Sequence, residues 1–449
     1  MMAQLPSRVA KLRARAAFSG LLCAVFLAGC AAQFFGAHSP PRAANVILLI
    51  GDGMGDAEIT AARNYLVGSG SRLVMEQLPA YGRLTTFAVV ENAPDIPDYV
   101  VDSAASATAW ATGKKTSVGR LSTAAQTGEL LPTILERAQQ AGIPVGVVTT
   151  SEVTDATPAA LLAHVNARSC QGPSDMKSCP EFRRERGGPG SIAEQIVAQR
   201  AALVFGGGRQ RFEQKPTGSD RTLLDIARAS GFTVVTRAEE LHGIADPPIL
   251  GLFASSDLDK LWKGEPARPY PGSGPQRCLE GQRPSEQPTL EIMTEQALRI
   301  LERLGAQRKR PFFLQVEGAN IDKSAHAAEP CAQIGETAEF DRTVALVWRY
   351  AQRHGNTLVI VTADHAHATQ IVPHPFAGAR HPGLLSTLVT REGGLLTLGY
   401  GTSSAGASQT HTGTDVPVFA FGPYSHSLAG HHDQTFLFRT IAAALDLDI

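Results

Sequence analysis

Apolar, β-branched runs recur along the chain, and each ends in a polar or glycine-rich turn. Residues 45–50 (Asn-Val-Ile-Leu-Leu-Ile) run into Gly-Asp-Gly-Met-Gly-Asp at 51–56. The run at 143–150 meets Ser151 and Glu152, and that at 203–205 meets three glycines. Residues 311–316 end at Glu317-Gly318, 358–362 at Ala363-Asp364-His365, and 416–421 at Gly422-Pro423. Unbroken apolar runs suit strands covered on both faces. Helix-period stretches lie between them, at 131–141, 191–199, 221–230, 289–304 and 337–353. Strand alternating with helix predicts an α/β fold: a three-layer sandwich with a large, mostly parallel central sheet and helices on both faces. The Gly-, Ser- and Thr-rich stretch 373–409 breaks the rhythm and predicts a small inserted subdomain within a single domain spanning 45–449.

The polar residues at the strand ends carry the chemistry. Open α/β sheets bind ligands at the carboxyl ends of their strands. Asp52, Glu317, Asp364 and His365 each sit just past such an end, so they converge on one rim. Asp322 and His326 lie four apart, which places both on one face of a helix. Asp364 and His365, followed by His367, make a mixed nitrogen and oxygen donor set of the kind zinc takes, and His411 could supply another nitrogen. Asp52, Glu317 and the Thr157 hydroxyl, which follows Asp155, are hard oxygen donors that suit magnesium. Arg168 could grip a phosphate through two parallel hydrogen bonds, although its spacing fits a solvated surface arginine equally. Each histidine alone is equally compatible with simple hydrogen bonding. The glycines at 51–55 lack the Lys-Ser/Thr end of a phosphate loop and the spacing of a dinucleotide fingerprint.

Residues 98–116 contain Asp-Ser-Ala-Ala-Ser-Ala-Thr-Ala-Trp-Ala, almost all small after Ser103. A helix is expected to start at Asp102-Ser103. A hydroxyl there would meet unpaired backbone N–H groups and the positive end of the helix dipole, a seat for phosphate and for an attacking serine. The pair also reads as an ordinary helix cap.

Composition is that of a globular protein: 449 residues, 43% hydrophobic and 18% charged, with formal net charge -1. That charge gives no reason to expect a nucleic-acid partner. Arg8, Lys11, Arg13 and Arg15 precede an apolar run at 16–28 that falls short of the roughly 20 residues a membrane span needs, so residues 1–29 read as a signal peptide. Leu27-Ala28-Gly29-Cys30 resembles the lipobox of bacterial lipoproteins, which would make Cys30 a lipidation site and 30–44 a lipidated tether. Export to the periplasm with a membrane anchor follows. Of the six cysteines, Cys170, Cys179, Cys278 and Cys331 then remain for disulfides in an oxidising compartment. Cys170 and Cys179 close a short polar loop, which leaves Cys278 for Cys331; a four-cysteine zinc site lacks the usual paired spacing.

The chain resembles the alkaline phosphatase family of the bacterial, zinc- and magnesium-dependent type. Residues 98–116 look like its nucleophile segment, and 45–55, 148–179, 315–337, 361–372 and 409–413 resemble family motifs in order. The resemblance implies hydrolysis of phosphate monoesters to alcohol and inorganic phosphate, with an alkaline pH optimum and a phosphoserine intermediate on Ser103. It implies two zinc ions and one magnesium. Asp322, His326 and His411 would hold one zinc, and Asp364 and His365 the second, with Asp52 shared between that zinc and the magnesium. Thr157 and Glu317 would complete the magnesium site. Arg168 would clamp the phosphate, while Asp102, Asp155, Lys323 and His367 would support these groups from outside. Both disulfides fall where bacterial members have theirs, and a homodimer is expected. Two departures stand out: Ala325 occupies a position where the family often carries an acid, and 373–409 aligns with no motif. A related metallohydrolase for phosphodiesters or sulfate esters is one competing reading, and a surface lipoprotein that binds metal or phosphate without catalysis is the other. Ser103 with Thr157, Glu317 and Arg168 favours monoesters, because a third cation and an arginine suit a dianion.

Overall fold

Residues 45–51, the first apolar run, become a central strand of a ten-stranded sheet in the computed structural model. The structure describes residues 44–449 except 245–246 and 375–382. The signal segment, Cys30 and the tether up to residue 43 lie outside the described residues.

The strands of this sheet are β1 (Asn45–Gly51), β2 (Ala80–Thr85), β3 (Val145–Glu152), β4 (Leu203–Gly207), β5 (Thr233–Val235), β6 (Ile249–Leu252), β7 (Phe313–Gly318), β8 (Thr357–Ala363), β9 (Val416–Phe421) and β10 (Gly430–Asp433). Their order is β10-β2-β9-β8-β1-β7-β3-β4-β6-β5. Val46 to Ile50 are fully buried, as are the side chains along β7 and β8, which explains their unbroken apolar runs. All neighbours pair parallel except β9, which runs against both β8 and β2. That reversal matters for the site. The start of β9 lies at the same rim as the ends of β1, β7 and β8, and an isolated bridge between Ala366 and Thr412 ties the approaching loop down. His411 is delivered there by the loop before β9, the only strand of this sheet among the described residues whose beginning, rather than end, reaches this rim.

Five helices matter most: α1 (Asp56–Leu66), α2 (Ser103–Thr112), α3 (Ala156–Leu162), α4 (Asn320–His326) and α5 (Pro330–His354). The periodicity located α5 from residue 337 onward; it begins seven residues earlier because Pro330 fits the first helical turn. The short helices α3 and α4 follow strand ends directly and are too brief to show a period.

The stretch beyond 373 does not form a unit by itself. Thr369–Val372, Leu384–Val389 and Leu395–Tyr400 join Arg268–Pro269 and Ser273–Gln276 in a five-stranded second sheet. It closes a small core of Leu388, Leu396, Leu398 and Tyr400 with Trp262 and Ile334. The Cys278–Cys331 disulfide fastens this layer to α5, and Cys170–Cys179 closes the loop after Arg168. Arg283 is buried between Glu336 and Glu339 of α5, 2.9 and 2.5 Å away, and binds the intervening segment to that helix. No described helix is long and apolar enough to cross a membrane.

A polar network joins α1, α5 and the second sheet. Gln333 donates to Thr369 Oγ1 (2.9 Å) and accepts from the Tyr400 hydroxyl (2.9 Å), while the Thr369 N–H donates to Glu58 (3.3 Å). Burial pushes the Glu58 carboxyl up to about 7. The folded state therefore holds this proton more tightly than the unfolded chain. Its contribution is fully present below the unfolded value of 4.5 and is lost as pH rises through about 7. Glu58→Gln keeps the acceptor and removes the charge. Unfolding midpoints measured against pH are expected to lose that downward slope, with a gain of about 1–3 kcal/mol at pH 8. Parallel profiles for variant and parent would reject this account.

Candidate active site

Helix α2 starts where the small-residue stretch predicts. Asp102 caps it, accepting from the Ala105 N–H at 3.0 Å, and Gly113 ends it at φ 73°. All ten residues are buried, so the alanines have a packing reason: the helix lies against α3 and the C-terminal helix Phe436–Leu445 with no solvent face. Ser103 is 2% exposed, and its Oγ lies 3.3 Å from His365 Nε2.

One donor cluster reaches this hydroxyl through His365, and a second lies against the first, with the His365 and His411 rings stacked 3.6 Å apart. In the first, Asp52, Asp364 and His365 offer atoms within 4.8 Å of one another. His365 Nε2 lies 3.2 Å from Asp364 Oδ2 and 3.5 Å from Asp52 Oδ1. Asp364 is oriented by its other oxygen, which accepts from the N–H groups of Gly53 and His365, both at 2.9 Å. The turn that allows this needs Gly53: its φ is +66°, and a Cβ would lie 3.1 Å from Asp322.

In the second cluster, Asp322, His326, His367 and His411 likewise gather within 4.8 Å. Asp322 and His326 share one face of α4, as their spacing predicts, 3.3 Å apart. The far nitrogens sort the imidazoles. His326 Nδ1 faces the Gln409 carbonyl, His411 Nδ1 the Val101 carbonyl at 3.0 Å, and His365 Nδ1 the Ala366 carbonyl at 3.3 Å. A carbonyl can only accept, so in its neutral form each of these rings carries its proton on Nδ1 and presents a free pair on Nε2. His367 is the opposite. Its Nδ1 accepts from the Ala368 N–H at 2.8 Å, so a neutral ring carries its proton on Nε2, which lies 3.2 Å from Asp322 Oδ1. This suits a support for Asp322 rather than a metal ligand.

Glu317, at the end of β7, is fully buried next to Thr157, with the Thr149 hydroxyl donating to it. Burial pushes Glu317 up to about 7 and Asp364 to about 6. Asp52 is also pushed well up, by burial first and then by Asp364, Asp322 and Glu317. Of these four carboxylates only Asp322 is held well below the usual carboxylate range: burial opposes this, but His367 and His411 outweigh it. Burial and the neighbouring His411 keep His365 neutral. Asp52 Oδ1 and Asp364 Oδ2 are buried without a hydrogen-bond donor. Crowded carboxylates, donorless oxygens and free Nε2 pairs fit divalent cations and little else.

Beside Ser103 the charges alternate. Arg168 reaches Asp102 Oδ2 at 3.2 Å and Asp155 Oδ1 at 2.8 Å; Lys323 reaches Asp155 Oδ2 at 2.8 Å. Asp102 therefore both caps α2 and orients Arg168.

The sequence comparisons agree with this geometry. The family model described as alkaline phosphatase matches residues 43–407 and 401–447, including the stretch that aligned with no motif. The chain belongs to the alkaline phosphatase family. It is 53% identical over 418 residues to the streptomycin-6-phosphate phosphatase of Streptomyces griseus, covering 91% of this chain and 92% of the relative. It is 45% identical over 422 residues to the alkaline phosphatase of Escherichia coli K12, covering 91% and 87%. The alkaline phosphatase structure from Thermus thermophilus superposes with a TM-score of 0.67 at 22% identity, over 91% of this chain and 92% of that one. That from the Antarctic bacterium TAB5 gives 0.66 at 24%, over 90% and 99%. The chain is thus a phosphatase of a metal-dependent family, and phosphate monoesters are its substrate class.

One residue of the site escaped the sequence reading. Asp257, in the loop after β6, faces Lys323 at 3.3 Å. The strand-end rule that found Asp52 would have found it, had the short run 249–252 been read as a strand. The tautomer argument yields a direct check. His367→Ala is expected to lower cation affinity of the Asp322, His326 and His411 cluster about 10- to 100-fold in chelator competition. Loss of an entire equivalent of ion would make His367 a ligand and overturn the distinction.

Proposed function

We propose that Ser103 attacks the phosphorus of a monoester, forming a phosphoserine that water then hydrolyses. The reading includes two zinc ions, one held by Asp322, His326 and His411, the other by Asp364, His365 and the shared Asp52. One magnesium would sit with Asp52, Thr157 and Glu317. The observation that carries it is the position of Ser103 Oγ, at the N-terminus of α2 and 3.3 Å from His365 Nε2, next in the chain to Asp102, which pairs with Arg168. Cations bound there would lower the pKa of a hydroxyl or water and neutralise charge on the phosphoryl group.

The chain's own residues do the rest. Asp102 and Asp155 hold the Arg168 guanidinium so that its fork can grip two phosphoryl oxygens. The backbone N–H groups at the start of α2 face the same space and stabilise developing negative charge. Ser103 Oγ must lose its proton to attack, which favours alkaline pH. Attack breaks the bond from phosphorus to the leaving oxygen, and hydrolysis of the serine ester inverts phosphorus again, so overall configuration is retained.

Ser103→Ala is expected to lower kcat on p-nitrophenyl phosphate by at least about a thousandfold while still binding phosphate. In the parent, chelation should abolish turnover and zinc with magnesium restore it. Substantial turnover by the variant would refute the assigned nucleophile. The lipobox match also supports membrane anchoring through Cys30. Cys30→Ser is expected to move the protein from the membrane to the soluble fraction; unchanged fractionation would refute that anchor.

A further inference from the structure

The string of charge beside Ser103 does not end at Lys323. Asp257 Oδ2 lies 3.3 Å from the Lys323 ammonium, opposite Asp155 at 2.8 Å. The two ends of this contact differ in how they are held. Asp257 Oδ1 accepts from the Glu152 N–H at 3.0 Å, at the end of β3. Its neighbours are tied from three sides. The Leu258 N–H donates to the Thr150 carbonyl (2.9 Å), Asn320 Nδ2 to the Leu258 carbonyl (2.9 Å), and Arg283 Nε to the Asp259 carbonyl (2.7 Å). Arg283 is itself locked between Glu336 and Glu339. Asp257 is therefore a fixed charge. Lys323 is a compact ammonium on a flexible four-carbon stem, so it sits where its partners put it.

We propose that Asp257 is a positioning residue whose fixed carboxylate holds Lys323 back from the phosphate seat and so weakens the grip on a bound phosphate dianion. This rests on the reading of Arg168 and the α2 start as that seat. Two effects act in the same direction. Shared between two carboxylates, the ammonium is drawn toward Asp257. The Asp257 charge also repels a dianion through a partly buried, weakly screened medium. A phosphatase must release inorganic phosphate as well as bind its ester, and a fixed negative charge behind a mobile cation moderates that affinity.

Asp257→Asn is the test. The amide oxygen keeps the Glu152 hydrogen bond, and the new NH₂ group turns Lys323 away from residue 257. In the metal-loaded enzyme, the inhibition constant for inorganic phosphate and its calorimetric dissociation constant are expected to fall about five- to twentyfold. KM for p-nitrophenyl phosphate should fall with them, and the change should shrink as salt is raised. Unfolding midpoint and metal content should match the parent, which a merely structural role would not allow. On a Lys323→Ala background the Asn substitution should have a smaller effect. Unchanged or weaker phosphate binding in Asp257→Asn, or loss of metal, would overturn the inference. A parent enzyme that neither binds phosphate nor hydrolyses the ester would instead overturn the underlying assignment.

Discussion

Four carboxylates and four imidazoles are packed into one nearly dry rim, and their mutual repulsion and desolvation are the constraint around which this protein is built. In water such groups would separate. Here Asp52, Asp364 and Glu317 are pushed toward neutrality by burial and by one another, while Asp322 stays charged only through its histidines. Like charges at this separation and burial repel strongly. Divalent cations convert that liability into binding energy, so the arrangement makes sense as one half of a complex. It also means that the scaffold must resist the site, since the donor groups would spread apart if allowed.

The resistance comes from backbone rather than from side-chain pairing. Asp52, Glu317 and Asp364 lie at the ends of adjacent strands, in a register that β1 shares with β7 and β8. His411 arrives on the loop that leads into the reversed strand β9, where Gly413 lets the chain pass the Tyr99 carbonyl: a Cβ there would lie 2.3 Å from that oxygen. Three carbonyls then fix three imidazole rings through Nδ1, leaving Nε2 turned inward. The second sheet braces the far side of α5, and its last loop supplies the Gln409 carbonyl that orients His326.

A second layer of charge handles the anion. Asp102, Arg168, Asp155, Lys323 and Asp257 alternate in sign, so no cation is left without a carboxylate when the seat is empty. Arg168 presents a planar fork held at both ends; Lys323 presents a movable point charge. The two cations are suited to different tasks, one geometric and one electrostatic. Arg168 is paired with Asp102 and Asp155, and Lys323 with Asp155 and Asp257.

Much of this was legible in the amino-acid order, for a local reason. Runs such as 45–50 and 358–362 had to be strands because nothing else buries such sequences on both faces. Their polar endings marked the rim, and the four-residue spacing of Asp322 and His326 placed them on one helical face. Other features had no local signature. The double role of Asp102 depends on Arg168, which lies sixty-six positions away. The reversal of β9 leaves no trace in an apolar run, since burial on both faces looks the same in either direction. Whether His367 binds or supports depends on one backbone N–H and the rotation of its ring. Asp257 gains its meaning only from the approach of Lys323. Sequence by itself determined which residues lie at strand ends and helix starts, because periodicity and burial are properties of neighbours in the chain. Only the tertiary structure decided which nitrogen each histidine offers and which carboxylate restrains which cation, because those choices are made by groups brought together from distant segments.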